Sequence, residues 1–255
     1  MKEKSEIEGE LLHAKHALQP NSLGYCGPDE NGKILEHLHS SSVSEDLTSM
    51  LSRFEAAYPF VRMIAKSTGR KPFDKEGTEA YGIGNSLLEQ VEPSEFFQFA
   101  YQGLGKKMKK PQAKAIFREL GHLAKPHHSF YVLGMYSRSN IKTANQGKLL
   151  ELMDSCRVSW GRVLEVKQDT LVVDRRPLAL RDDTLSLSPS EKKEVQFDRE
   201  IPPFSSIRRG DWVSLHWNFA SEKLAPLQLR NLRAYTALDI EATNRIVASL
   251  KPESK

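Results

Sequence analysis

Cys156 and His216 offer the best matched chemistry in this chain. A thiolate and an imidazole both suit a borderline-soft ion such as ferrous iron or zinc, and strong-field ligands can fill the remaining positions. A structural zinc site is closed by four protein ligands, so a Cys and His pair alone is a half-filled site. Cys156 lies in Ser155-Cys156-Arg157-Val158-Ser159-Trp160-Gly161-Arg162-Val163, and His216 in Gly210-Asp211-Trp212-Val213-Ser214-Leu215-His216-Trp217-Asn218-Phe219-Ala220. A cysteine opening one strand and a histidine closing a later one meet only if the strands between them fold the chain back. Metal loading takes the thiol proton, so it should weaken as pH falls.

A second constellation lies upstream. Cys26 sits in the turn Gly24-Tyr25-Cys26-Gly27-Pro28, read as leading into a helix whose amino-terminal dipole would favour the thiolate. His127 and His128 follow Pro126 and precede the apolar run Phe130 to Leu133. Neighbouring side chains on a strand point to opposite faces, so at most one of these histidines faces a given site unless the chain bends at Pro126. If Cys26 and one histidine converge, two readings open. They complete a ligand set with Cys156 and His216, or they form a thiol nucleophile with its base.

The remaining histidines carry less. His37 and His39 fall on different faces of a helix. His13 and His16, three apart, can share a face, but no carboxylate motif nearby completes a site. The Gly82-Ile83-Gly84 pair lacks the preceding strand that a dinucleotide fold needs, and close helix packing accounts for it better.

The elements that must position these residues change character near Gln146 to Asp154. Residues 1–150 read as an all-α helical domain. Its clearest element runs through Leu47, Met50, Leu51, Phe54, Tyr58, Val61, Ile64 and Ala65, with Ser44 as N-cap, Gly69 as stop and a kink or break at Pro59. Further helices are expected over Asp74 to Val91, Pro93 to Leu104 and Pro111 to Ala124. After Cys156 the periodicity shortens. Val158 to Val166 and Thr170 to Asp174 read as a hairpin, Leu178 to Leu187 and Lys193 to Phe197 as two more strands, and Trp212 to Trp217 as the closing one. The expected fold is therefore α+β and multi-domain: helices over 1–150, then a small OB-like β-barrel with a C-terminal helical tail over 155–255. The tail is expected from Glu222 to about Leu250, with Pro226 in its first turn and Lys251 to Lys255 frayed.

Composition narrows the function classes. The 255 residues carry a net charge of only +4. Their basic side chains are scattered except for Lys106-Lys107-Met108-Lys109-Lys110, a run that reads as a solvated loop, so no nucleic-acid partner is expected. The first residues mix charges of both signs and lack a secretory apolar run, and no segment has membrane-spanning length. Two cysteines far apart make no disulfide framework, so free thiols and a cytoplasmic location are expected.

The second half resembles the HypC/HupF family, small chaperones of nickel-iron hydrogenase maturation. Cys156, Gly161, Arg162 and Val163 keep the spacing with which family members open. Gly210, Asp211, Trp212, Val213, His216, Phe219, Ala220 and Leu224 stand where the family closes its barrel and enters a polar helix. The resemblance covers roughly residues 155 to 240. Trp160 replaces the family's usual proline, Asn218 its usual glycine, and Cys156 is internal where the family has a free amino group beside the thiol.

The resemblance implies that Cys156 and His216 hold iron, as a transient cyanide- and carbonyl-ligated centre. The implied partners are a hydrogenase large-subunit precursor and the iron-sulfur maturation scaffold protein. A metallocentre-carrying accessory chaperone is thus the leading expectation. A cysteine-dependent enzyme centred on Cys26 with His127 or His128 is the alternative, and a metal-free adaptor or regulatory protein the third.

Overall fold

The computed structural model of the chain describes residues 2–104, 110–136 and 146–249. Helices come first: α1 (Lys4–Ser22), α2 (Asn31–Ser40), α3 (Glu45–Ser52), α4 (Tyr58–Thr68), α5 (Lys75–Gly82), α6 (Pro93–Leu104), α7 (Lys110–Leu120), α8 (His128–Tyr136) and α9 (Gln146–Cys156). Seven strands follow: β1 (Ser159–Val166), β2 (Thr170–Arg175), β3 (Leu178–Arg181), β4 (Thr184–Leu187), β5 (Glu191–Gln196), β6 (Trp212–His216) and β7 (Phe219–Lys223). The last described element is α10 (Pro226–Ser249). The fold is mixed α+β. Lys106 to Lys109 of the lysine run, and Lys251 to Lys255, lie outside the described residues.

Local chemistry accounts for most helix boundaries. Ser44 caps α3 by accepting the Leu47 N–H, and α4 ends on Gly69 in the left-handed region at φ 67°. Pro59 does not kink one long helix. It sits in the first turn of α4, where its missing N–H costs no hydrogen bond, so the apolar stripe is carried by two helices. Asp74 caps α5, accepting from Glu76 N and Gly77 N.

The helix expected to run on to Val91 stops at Gly82 and resumes as a 3-10 turn over Ser86–Gln90. Gly84 makes the break. Its φ is 91°, and a Cβ there would lie 2.2 Å from the Tyr235 ring. Gly82 itself has open space around it, so close packing explains only one of that glycine pair.

Four further expectations are corrected. Phe130 to Leu133 lies within α8, not on a strand, and Cys156 closes α9 instead of opening β1. Leu178 to Leu187 forms its own two-stranded sheet of β3 and β4. Phe219 to Lys223 is strand β7, so the terminal helix begins at Pro226, after Glu222.

The other five strands pair in the order β1-β2-β5-β7-β6, and β6 returns to β1, so the sheet closes in a ring. Four of the five contacts are antiparallel; β5 and β7 run parallel, through Gln196 and Phe219.

One buried cluster includes Leu18, Ile34, Leu47 and Leu51 from the helices together with Val163, Leu171, Val213 and Leu215 from the closed sheet. Its continuity is the hydrophobic reason that the helices stay on the sheet. α1 runs against β6 and β7, where Lys15 pairs with Glu222 at 3.1 Å. Among the described residues, no helix is long and apolar enough to cross a membrane.

Candidate metal centre

Cys156, the last residue of α9, is held from behind by a buried charge network. Asp154 accepts from Arg157 Nε at 3.1 Å and Nη2 at 2.9 Å, from the Leu178 N–H at 2.9 Å, and from Arg175. Arg157 is fully buried and also donates to the Arg176 carbonyl at 2.9 Å. These bonds tie the end of α9 to the end of β2 and the start of β3, and Cys156 itself lines a cavity.

His216 ends β6, and the chain then turns through Trp217 and Asn218 at φ 54° and 58° into β7. Two residues with positive φ are what a type I′ hairpin turn demands. Asn tolerates that region, whereas a tryptophan there is strained. Surrounding bonds hold it. The Trp217 N–H donates to the Ser155 carbonyl at 2.7 Å, and the indole stacks on Tyr25 with ring centres 4.2 Å apart. The bond to Ser155 is what brings the His216 turn to Cys156.

His128 completes the group from the first turn of α8. One ligand atom each of His128, Cys156 and His216 lies within 4.8 Å of the others. The His128 and His216 ring centres are 5.1 Å apart. With metal–nitrogen bonds near 2.0–2.1 Å, two imidazoles on one tetrahedral ion have ring centres about 5 Å apart. The pair is thus spaced to share an ion.

Hydrogen bonding sets both tautomers, since a carbonyl can only accept. His216 donates Nδ1–H to the His16 carbonyl at 2.6 Å, which leaves the buried Nε2 lone pair without a partner. His128 donates Nε2–H to the Cys156 carbonyl at 2.7 Å, and its Nδ1 accepts from the Tyr81 hydroxyl at 3.0 Å. Each ring thus hands its N–H to a main-chain carbonyl, as metal-ligating histidines do.

The cavity measures about 260 Å³ and is walled largely by apolar and aromatic side chains. Among the described residues, no carboxylate, lysine or arginine lines it. Burial therefore acts against charge unopposed. Burial, reinforced by His216, takes His13 down to about 4 and His128 to about 3. Burial also takes His216 to about 4, opposed by the nearby main-chain carbonyls of His16 and Cys156, and holds His16 well below its ordinary value. The Cys156 thiol is pushed up to about 12 by burial and by the nearby Cys26. The one opposing neighbour is the Trp217 indole N–H, which has no other partner. At neutral pH the site holds neutral imidazoles and protonated thiols, a nitrogen and sulfur set that suits iron, zinc or copper and not calcium or magnesium.

Cys26 lines the same cavity from the turn between α1 and α2. Helix α2 begins only at Asn31, so the expected helix N-terminus is not at the thiol, and burial with Glu55 nearby raises its pKa. His127 does not reach the cavity. It is fully buried on the other side of α8, bonded through Nδ1 to Asp239 of α10 at 2.6 Å. The cavity also takes His13 and His16 from α1, which share a helix face as their spacing allows. That spacing was the available signal. Their partners lie on α8, α9 and β6, too distant in the chain for any local motif to show. His37 and His39 stay outside, with His39 bonded to Asp198 at 2.7 Å.

Comparison with curated proteins and with solved structures gives no match. One family model does match, over residues 5–250, helices and sheets together. By that match the chain belongs to a family of unknown function, DUF6390.

Proposed function

We propose that this chain is an accessory chaperone of the hydrogenase-maturation type that holds an iron centre as cargo through Cys156 and His216, with His128 beside them. The observation that carries the reading is the convergence of these three ligand atoms within 4.8 Å, in a cavity that no carboxylate, lysine or arginine among the described residues lines. The orphaned Nε2 of His216 supports it, because a buried acceptor without a partner costs about 1–3 kcal/mol unless something occupies it.

Three features support the resemblance to HypC/HupF. The cyclic strand order with one parallel contact supports reading the closed sheet as a Greek-key barrel of the OB type. Gly161 lies where a Cβ would come within 2.8 Å of Val173 on the paired strand, so the motif glycine has a packing reason. Asn218, in place of the family's glycine, has the positive φ that glycine would supply. On this reading the helical half walls the cavity and adds His128, in place of the amino group that an internal Cys156 lacks. The proposed recipient is a hydrogenase large-subunit precursor, and the proposed source an iron-sulfur scaffold protein.

The thiol-enzyme reading has less support. Cys26 and His128 do share the cavity, but burial raises both thiols and, among the described residues, no lysine or arginine lines the cavity to stabilise a thiolate. The test is anaerobic purification with the proposed partners. The protein should retain iron with cyanide and carbonyl infrared bands, and Cys156→Ala should abolish them; bands that survive the substitution would overturn the carrier reading.

A further inference from the structure

The three convergent ligands leave one buried imidazole unexplained. His16, in the middle of α1, lines the same cavity, and both of its ring nitrogens are buried without a hydrogen-bond partner. In a neutral imidazole one of those nitrogens carries a lone pair and the other an N–H, so His16 leaves both a donor and an acceptor unsatisfied. Buried polar groups in native proteins are nearly always paired, and the exceptions call for an occupant or a role. The two neighbouring imidazoles have no spare N–H to give it. His216 spends its own N–H on the His16 carbonyl, and His128 has both nitrogens engaged by Tyr81 and Cys156.

We infer that His16 is a fourth protein ligand of the metal centre, closing a set of Cys156, His216, His128 and His16. The inference rests on the reading of Cys156 and His216 as a metal site and adds a residue that lies outside the resemblance. The His16 and His216 ring centres are 6.4 Å apart and tilted by 47°. That is about 1 Å more than two imidazoles on one tetrahedral ion require. On this inference a side-chain adjustment toward His216 of about that size brings His16 into the set. The same residue already orients His216 through its carbonyl, so α1 grips the centre twice, once by main chain and once by side chain.

A fourth ligand alters what the site can do. Three ligands leave a tetrahedral ion one open position, while four close it. His16 as the outermost ligand makes the site switchable between the two. With His16 engaged the ion is retained; with His16 back at its present distance, a position opens to incoming ligands or to the recipient.

The test uses the full-length protein, anaerobic and reduced, with Co²⁺ alone as probe. Wild type should show a thiolate-to-cobalt charge-transfer band, and X-ray absorption should count one sulfur and three imidazoles. His16→Ala should keep the band, lose one imidazole and weaken Co²⁺ binding by at least the ~10–100-fold that loss of a supporting residue costs. A wild-type count of two imidazoles, unchanged in the variant, overturns the assignment of His16 and leaves the Cys156 and His216 site standing. No charge-transfer band in wild type overturns the metal site itself. Because the wild-type count is decisive alone, a variant that fails to fold does not shelter the inference.

Discussion

The Nδ1–H of His216 donates to the main-chain carbonyl of His16 at 2.6 Å, across two hundred residues of chain. This bond joins the end of a strand to the middle of the first helix. It also fixes the tautomer of His216, so that Nε2, the nitrogen facing the cavity, is the one with a free lone pair. The chemistry of the site depends on that bond as much as on the ligands themselves, because the other tautomer would present an N–H to any cation.

Metal affinity should rise with pH. The Cys156 thiol sits at about 12 without metal, while the neighbouring imidazoles stay neutral down to about 4 and 3. Between those limits binding releases the thiol proton and no other, so affinity should climb about tenfold per pH unit. Zn²⁺ competition titrations at several pH values measure the slope. A slope near two would instead bring in Cys26 as a second thiolate.

Tyr81→Phe should tighten metal binding. The Tyr81 hydroxyl holds the Nδ1 lone pair of His128 at 3.0 Å, the direction a metal must use if His128 keeps its bond to the Cys156 carbonyl. Removing a hydrogen bond of about 0.5–1.5 kcal/mol should raise affinity roughly two- to tenfold. Isothermal calorimetry with Zn²⁺ reads the change, and weaker binding would show that Tyr81 orients His128 rather than competing for it.

Acid should destabilise the metal-free protein early. His13, His128 and His216 titrate near 6.5 when unfolded but near 4, 3 and 4 when folded. Stability is intact above about pH 6.5 and is lost as pH falls through the window to about 4, because the unfolded chain takes up protons that the folded one refuses. Each imidazole contributes about 1.4 kcal/mol per pH unit inside the window. Urea unfolding at pH 7 and pH 5 should show the loss, and His13→Gln should reduce the pH dependence by one imidazole's share.

Asp154→Ala should cost about 3–5 kcal/mol, since it strands the buried Arg157 without its counter-charge. It should also loosen the end of α9 and so weaken metal binding. Chemical denaturation gives the first effect. Asp154→Asn, which keeps an acceptor but not the charge, should recover part of both.

Much of the local structure was legible because its causes are local. Ser44, Gly69 and Pro226 act through backbone groups within a turn of themselves, and the β1–β2 hairpin follows from apolar alternation on both sides of a short turn. Strand β7 was missed because its five residues end in Glu222 and Lys223, polar side chains that read as the start of a helix. Cys156 was misassigned to a strand because α9 ends only three residues before β1. Within the site, Cys156 and His216 stood out through their motifs. His13 and His16 showed only a shared helix face, which most helices could offer without purpose.

What the residues alone determined was the inventory: two thiols, a set of histidines, and helices followed by short strands. Periodicity and capping act over a few residues, so a sequence can specify them directly. The tertiary structure decided which of those groups meet. It chose His128 over His127, because α8 turns one toward the cavity and buries the other against Asp239. It brought in His16, because α1 crosses the strand that ends at His216. Those choices come from the packing of elements far apart in the chain, and the same packing, by burying these groups and keeping every charged side chain out of the cavity lining, keeps the imidazoles neutral and the thiols protonated.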